Sequence, residues 1–107
     1  MLNKQIEKTI DRICDEEEKQ FEQDTDHLIA ITEPKMDKSS HAAIKLEATK
    51  NLIYSYTEIR KFKAKAKVGY LKIIKLMRNE IFRINKEELD SFWFRNFSSK
   101  VSIEFLS

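Results

Sequence analysis

Glycine and proline are almost missing from this chain, with one residue of each in 107. Tight turns depend on these two residues, so the chain has room for few such turns, which argues against a β-sandwich or β-barrel. A phosphate-cradling loop requires several glycines and is excluded as well. The composition therefore predicts a single domain that is mainly α-helical, built as a small antiparallel bundle with a long central helix and a short C-terminal strand.

Cysteine and long apolar runs are also scarce. Cys14 is the only cysteine, so no intramolecular disulfide can form, and a reducing compartment is expected. No run of about 18 uncharged apolar residues is present, and residues 1–10 lack the apolar core of a signal peptide. We therefore expect a soluble, cytoplasmic protein that has no membrane partner.

Catalytic and metal-binding motifs are missing too. The sequence has no His-Glu-x-x-His pattern and no glycine-bearing calcium loop, and His27 and His41 are isolated. Seven acidic residues crowd positions 15–26, but at helical spacing they are typical of a solvated face; a surface that imitates the charge of nucleic acid is an alternative. We expect no enzymatic activity, no metal and no cofactor.

The strongest positive feature is a reversal of charge along the chain. Residues 1–40 carry 11 acidic and 6 basic side chains, a net charge of −5, whereas residues 41–107 carry 7 acidic and 14 basic ones, a net charge of +7. Between positions 60 and 86 there are ten lysines or arginines and a single acid, Glu80. Such a block can attract an anionic partner or serve as a solvated helix face.

Apolar residues at three- and four-residue steps predict the helices. A first helix is expected over about 2–24, followed by a run at 27–32 that is either a short strand or the end of this helix. A loop follows at about 33–40, where Ser39 or Ser40 can cap the next helix. The second stripe runs from Ile44 to Ile84 without losing phase, which favours one long or Gly69-kinked helix over about 41–84 against a pair of helices broken at Gly69.

The C-terminal part is expected to add a short helix and a strand. Asn85 and Glu88 have the form of a capping box for a helix over about 86–97, and alternation over about 100–106 predicts the strand. A central helix of this length would leave part of its apolar stripe uncovered by the shorter N-terminal helix. We therefore expect a homodimer.

The basic residues of the central helix form a stripe opposite its apolar side. Such a stripe can follow a phosphate backbone, and its excess of lysine over arginine suits backbone attraction better than the reading of bases. The sequence therefore predicts a small binding or regulatory protein that contacts nucleic acid by phosphate attraction; a helix-turn-helix centred on Gly69 and a solvated or internally paired face are alternatives. The predicted contacts are Arg60, Lys61, Lys65, Lys67, Lys72, Lys75, Arg78 and Arg83.

An aromatic cluster supports a second hypothesis. Phe92, Trp93, Phe94 and Phe97 cannot all face one side of a helix, so one is either buried by another element or free to anchor a partner. Under this alternative the chain is a protein–protein interaction module, an inhibitor, adaptor or assembly factor of phage or mobile-element origin, and Phe92, Trp93 and Phe94 bind its target.

The last residues carry one short resemblance. Residues 102–106, Ser-Ile-Glu-Phe-Leu, resemble the hydrophobic tails with which replication and late-transcription factors of T4-type phages dock on a sliding clamp. The resemblance covers five residues, and it implies that Ile103, Phe105 and Leu106 would be the docking side chains.

Overall fold

A computed structural model describes residues 4–86, which form three α-helices and one short 3-10 helix. Helix α1 spans Lys4–Thr32, α2 spans Ser40–Arg60 and α3 spans Lys67–Asn85, while the 3-10 helix Glu33–Lys35 connects α1 to α2. These residues contain no strand. The prediction of a mainly helical bundle is therefore confirmed for the part of the chain that the structure describes.

The helices run up, down and up, and each one packs against the other two. Asp11, early in α1, contacts Lys67 at the start of α3, and Glu17, further along, contacts Arg78, so α1 and α3 are parallel. Helix α2 runs back between them. The three helices share one core, in which the rings of Phe21 and Tyr56 lie 5.0 Å apart. The aliphatic, tyrosine and sulfur-containing side chains buried around them are Cys14, Leu28, Ala48, Leu52, Ile59, Tyr70, Ile73, Ile74, Met77, Ile81 and Ile84.

Helix α1 is longer than the sequence predicts. Its buried positions continue past residue 24 with Thr25, Leu28 and Thr32, at three- and four-residue steps. The alternation at 27–32 is therefore the end of this helix, and the alternative of a short strand there is wrong. The hydroxyl group of Thr32 donates a hydrogen bond to the carbonyl oxygen of Leu28, at 2.6 Å, within the last turn.

The connection to α2 lies where the loop is predicted. Pro34 falls in the first turn of the 3-10 helix, where its missing amide hydrogen does not matter. Ser39 has the extended backbone of an N-cap residue, with φ −148° and ψ 124°, and α2 begins at Ser40. The expected position of the cap is confirmed, but the Ser39 side chain makes no capping hydrogen bond.

The prediction of one long or Gly69-kinked helix over 41–84 is wrong. Helix α2 ends at Arg60, and α3 begins at Lys67 in the opposite direction. The reversal at 61–66 needs neither glycine nor proline, because successive turns close with short-range backbone bonds such as Lys63 N–H to Arg60 O, at 3.2 Å. Ala66 leaves the helical region, at φ −143° and ψ 58°. The helix breaks here because the chain reversal allows α3 to bury its apolar side against both α1 and α2.

Gly69 itself lies in the first turn of α3. A Cβ atom added there would meet only the Cβ atom of Ala66, at 3.9 Å, an ordinary van der Waals distance. We expect Gly69→Ala to raise the free energy of unfolding by about 0.5–1 kcal/mol, because alanine loses less backbone freedom than glycine in a helix. Urea denaturation measures the difference, and a less stable variant would contradict the helical placement of residue 69.

The apolar stripe that made a homodimer an expectation is covered within one chain except at Ile44, Phe62 and Ala66, which are exposed. It is divided between α2 and α3, whose buried residues share a core with α1. Most of the stripe therefore has its partner within residues 4–86. The homodimer stays a prediction, which light scattering measures directly.

The remaining structural predictions fall beyond residue 86. The helix over 86–97, the strand over 100–106 and the capping box from Asn85 lie outside the described residues, except that Asn85 is the last residue of α3.

Between Lys4 and Lys86, no helix is long and apolar enough to cross a membrane.

Candidate nucleic-acid interface

The charge reversal of the sequence becomes a set of contacts between α1 and the rest of the bundle. Arg78 on α3 donates a hydrogen bond to Glu17, with 2.6 Å between Nη1 and Oε2. Lys67 pairs with Asp11 at the other end of the same interface, and this hydrogen bond raises the pKa of Lys67. The acidic cluster of α1 is therefore used in part to hold α3 in place.

Glu18 is the centre of the second group of contacts. Its carboxylate is buried, with 8 % of the side chain exposed, although the sequence pattern predicts a solvated position. It accepts hydrogen bonds from Lys63 and from the hydroxyl group of Tyr56, the latter at 3.1 Å, and the Nε atom of Arg60 lies 3.3 Å away. One buried carboxylate thus joins α1 to the end of α2 and to the 61–66 connection.

Burial and these carboxylates govern the ionisation of the central tyrosines. Desolvation raises the pKa of Tyr56 most, and the charge of Glu18 and a hydrogen bond to Glu22, at 3.0 Å, raise it further. Desolvation also raises the pKa of Tyr70, whose buried hydroxyl group has no hydrogen-bond partner among residues 4–86. Both hydroxyl groups therefore stay protonated at neutral pH, and Tyr56 serves as a hydrogen-bond donor to α1.

At least four of the cations predicted to bind phosphate contact acids within the bundle. Arg60 and Arg78 contact Glu18 and Glu17 as described, Lys67 contacts Asp11, and Lys61 contacts Glu58 one turn earlier, at 3.1 Å. A guanidinium or ammonium group that already has a carboxylate partner gains less from a phosphate than one in water. The predicted stripe is therefore not one continuous surface of available charge.

The other four predicted cations lie in the connection before α3 or on the exposed side of α3. Lys65 is exposed in the 61–66 connection, and Lys72 and Lys75 are exposed on the helix. Within residues 4–86, no acidic side chain pairs with these three lysines. Arg83 is exposed on the same helix, where its charge lowers the pKa of the neighbouring Glu80.

We call this exposed side the outer face of α3. Its members share one side of the helical wheel, away from the core. The only acid of α3, Glu80, is not among them, because it is buried on the core side. The outer face consists of Lys72, Lys75, Asn79, Phe82, Arg83 and Lys86.

Phe82 is an aromatic member of this face that the sequence pattern did not single out. Its side chain is 60 % exposed, and the Nζ atom of Lys86 lies 4.2 Å from the ring centroid. The ring stands between two adjoining depressions where α3 meets α1, one of about 130 Å³ and one of about 390 Å³. An exposed phenylalanine beside a basic residue is a signal that a wheel of charge alone does not reveal.

The groove formed by these depressions is polar and holds both signs of charge. Lys75, Arg78 and Asn79 line the larger depression together with Glu17 and Asp24. Glu17 is paired with Arg78, and Asp24 accepts a hydrogen bond from the amide group of Gln20, at 2.8 Å. Both acids of the groove therefore have partners within the bundle.

Some of the other predicted residues lie outside the part of the chain that the structure describes, and others lie within it. Phe92, Trp93 and Phe94, proposed as partner-binding, lie outside the described residues, as does the terminal segment 102–106. Within residues 4–86, no three histidine, cysteine, aspartate or glutamate side chains converge in an arrangement suited to a metal ion. Cys14 is fully buried in the core, where desolvation raises the pKa of its thiol group.

Comparison with known proteins assigns the chain to no family: no protein-family model, no curated protein and no solved structure matches it.

Proposed function

We propose that this chain is a small non-enzymatic binding protein that contacts nucleic acid through Lys65 and the outer face of α3. One observation carries the proposal: Lys65, Lys72 and Lys75 are exposed, and no acid of residues 4–86 pairs with them. The sole acid of α3 is buried, so the field of this face is not cancelled from within the helix. The proposed interface keeps Lys65, Lys72, Lys75 and Arg83 from the predicted stripe and leaves out Arg60, Lys61, Lys67 and Arg78, which pair with acids of the bundle.

The mode of contact follows from the side chains available. Lysine is a compact charge that attracts phosphate but does not form the bidentate pairs by which arginine reads guanine. We therefore expect binding with little sequence preference and a strong dependence on salt, because each phosphate contact releases counterions. The logarithm of the affinity should fall by about 0.7–0.9 per contact for each unit in the logarithm of the salt concentration.

The test is fluorescence anisotropy of labelled single-stranded and duplex oligonucleotides, repeated between about 50 and 200 mM salt. Replacing Lys65, Lys72 and Lys75 together by alanine should weaken binding at least about tenfold and reduce the salt slope by about 2–3, since three phosphate contacts are removed. Circular dichroism should be unchanged, because the three side chains are exposed and form no ion pair or side-chain hydrogen bond within residues 4–86.

A matched control separates a local interface from the effect of net charge. Lys19, Lys38 and Lys50 are also exposed but lie on α1, in the connection and on α2. Their joint replacement by alanine removes the same charge and should leave affinity within about twofold. An equal loss in both triple variants would sink the proposed interface, even if the protein binds nucleic acid.

A second candidate, a protein-interaction module, draws on a different observation. At least four of the predicted cations are paired with acids of the bundle, and five large apolar side chains of α2 and α3 are exposed, namely Ile44, Tyr54, Val68, Leu76 and Phe82. Such a surface suits an inhibitor, adaptor or assembly factor, for which Phe92, Trp93 and Phe94 remain the proposed anchors. This candidate predicts no salt-dependent binding of either oligonucleotide at the lowest salt.

A further inference from the structure

From the geometry around Phe82 we infer that the preferred ligand of α3 is a single strand of nucleic acid, one base of which stacks on the Phe82 ring. The inference rests on the proposed function and adds to it the form of the nucleic acid and a residue that the charge pattern does not identify. A duplex keeps its bases paired and stacked, whereas a single strand can present them to an aromatic ring.

The ring is placed for such a contact. A phenylalanine side chain buried in the core would stabilise the fold, yet the Phe82 side chain is 60 % exposed near the end of α3. It lines both depressions, so part of the ring borders open space. A base that covered the ring would bury apolar surface that the bundle itself leaves in water.

Cations surround this ring at helical spacing. Lys75 precedes Phe82 by two turns, about 10 Å along the axis, and shares the larger depression with it. The ammonium group of Lys86 lies 4.2 Å from the ring centroid, within reach of the phosphate of a nucleotide stacked there. Charge complementarity along the face and an aromatic ring within it form the combination by which proteins hold single strands.

The polar side chains beside the ring suit the edges of bases. Asn79 lies one turn before Phe82 and lines the same depression, and Asn85 lines the smaller one. An amide group offers both a donor and an acceptor, so it can meet any base without strict selection. The cation Arg78 offsets the charge of Glu17, which limits the repulsion of phosphate by this acid, and Gln20 donates a hydrogen bond to Asp24.

Tyr54 provides a matched control for the ring. It is an exposed aromatic side chain, at 68 %, on the outer side of α2. The neighbouring positions on that side of the wheel hold two acids, Glu47 and Glu58, and two lysines, Lys50 and Lys61, so this side carries no net positive charge. If a base stacks on Phe82 but not on Tyr54, then stacking requires a basic face as well as an aromatic ring.

The experiment measures anisotropy with three labelled probes of about 16 nucleotides, the upper end of a single-strand site. The probes are oligothymidine, a duplex of equal length and an abasic strand with the same number of phosphates. We expect the wild-type protein to bind oligothymidine at least fivefold more tightly than either other probe. Phe82→Ala should lose at least fivefold for oligothymidine and nothing for the abasic strand, since stacking of one base contributes about 1–3 kcal/mol.

The variants and outcomes separate this inference from the proposed function. Phe82→Trp should keep or strengthen binding, and Tyr54→Ala should leave it unchanged. Equal affinity for oligothymidine and the abasic strand, or full affinity in Phe82→Ala, would overturn the stacking inference while leaving phosphate attraction intact. Failure of the wild-type protein to bind any probe at low salt would overturn both.

Discussion

Replacing Glu18 by alanine is expected to lower the free energy of unfolding by about 2–3 kcal/mol. The side chain is buried and joins three cationic or hydroxyl partners from outside α1, which are Arg60, Lys63 and Tyr56. Its removal leaves the Tyr56 hydroxyl group with one carboxylate partner, Glu22, and leaves Lys63 with only the exposed Asp15, at 3.7 Å. The variant is therefore less stable because it loses tertiary contacts. Its helix propensity is not reduced, because alanine favours a helix more than glutamate does.

The expected magnitude takes account of exposure. Breaking a fully buried ion pair by removal of one partner costs about 3–5 kcal/mol. Here the Arg60 side chain is 56 % exposed, so water can solvate its guanidinium group when Glu18 is absent. Glu18→Gln should cost less than Glu18→Ala, because an amide oxygen can still accept the hydrogen bond from Tyr56.

Glu16 gives the matched control for this prediction. It lies two residues earlier on α1 and pairs with Arg12 one turn away, at 2.9 Å, but both side chains are 63 % exposed. Because exposed pairs of this kind contribute little, Glu16→Ala should change stability by no more than about 0.5 kcal/mol. Urea denaturation measures both variants, and equal losses would mean that Glu18 is not the joint between α1 and the rest of the bundle.

Apolar spacing predicted most of the core correctly. The stripe positions Leu52, Tyr56, Tyr70, Met77 and Ile84 are all buried, and so is Phe21 of the first helix. Periodicity identifies such positions because every buried face of a helix repeats at three- and four-residue steps, whatever its partner is. It gives no information on which helices face one another.

That limit explains why the break at 61–66 was missed. Phe62 and Ala66 continue the stripe in sequence, yet both are exposed in the chain reversal. The six residues from Lys61 to Ala66 are all compatible with a helix, so their helix propensities do not mark the turn. Packing against α1, rather than local propensity, decides the direction of the chain there.

The candidate interface was predicted only in part for the same reason. A helical wheel places Arg78 and Lys75 away from the core, but only the topology brings Arg78 to Glu17, 61 residues earlier, and leaves Lys75 in water. The burial of Glu18 also depends on the meeting of three elements. Charge along one helix can therefore indicate a basic surface, while its division into paired and available cations requires the fold.

Glu80 predicts an unusual dependence of stability on pH. Its side chain is almost completely buried, at 3 % exposure, and its Oε2 atom has no hydrogen-bond partner among residues 4–86. Desolvation raises the pKa of this carboxyl group from 4.5 to about 7, against the opposing charge of Arg83. Between these two values the folded protein holds a proton that the unfolded chain releases, so stability falls as the pH rises.

The size of this effect follows from the difference in pKa. A pKa of about 7 in place of 4.5 corresponds to about 3 kcal/mol of stability, which is fully present below pH 4.5 and lost as the pH passes 7. Other carboxylates titrate at the acid end of this range, so the comparison must be made between variants. Glu80→Gln keeps the size of the side chain and stays neutral, and should be more stable than wild type by up to about 3 kcal/mol at pH 8 but not at pH 4.

Glu47→Gln supplies the control, because Glu47 is an exposed carboxylate on α2 and its replacement removes the same charge. The free energy of unfolding from urea titrations at pH 4, 5, 6, 7 and 8 should diverge between wild type and Glu80→Gln across this range and stay parallel for Glu47→Gln. Parallel curves for Glu80→Gln would mean that the carboxylate ionises in the folded protein as easily as in water. In that case water must reach the Glu80 carboxylate in the folded protein.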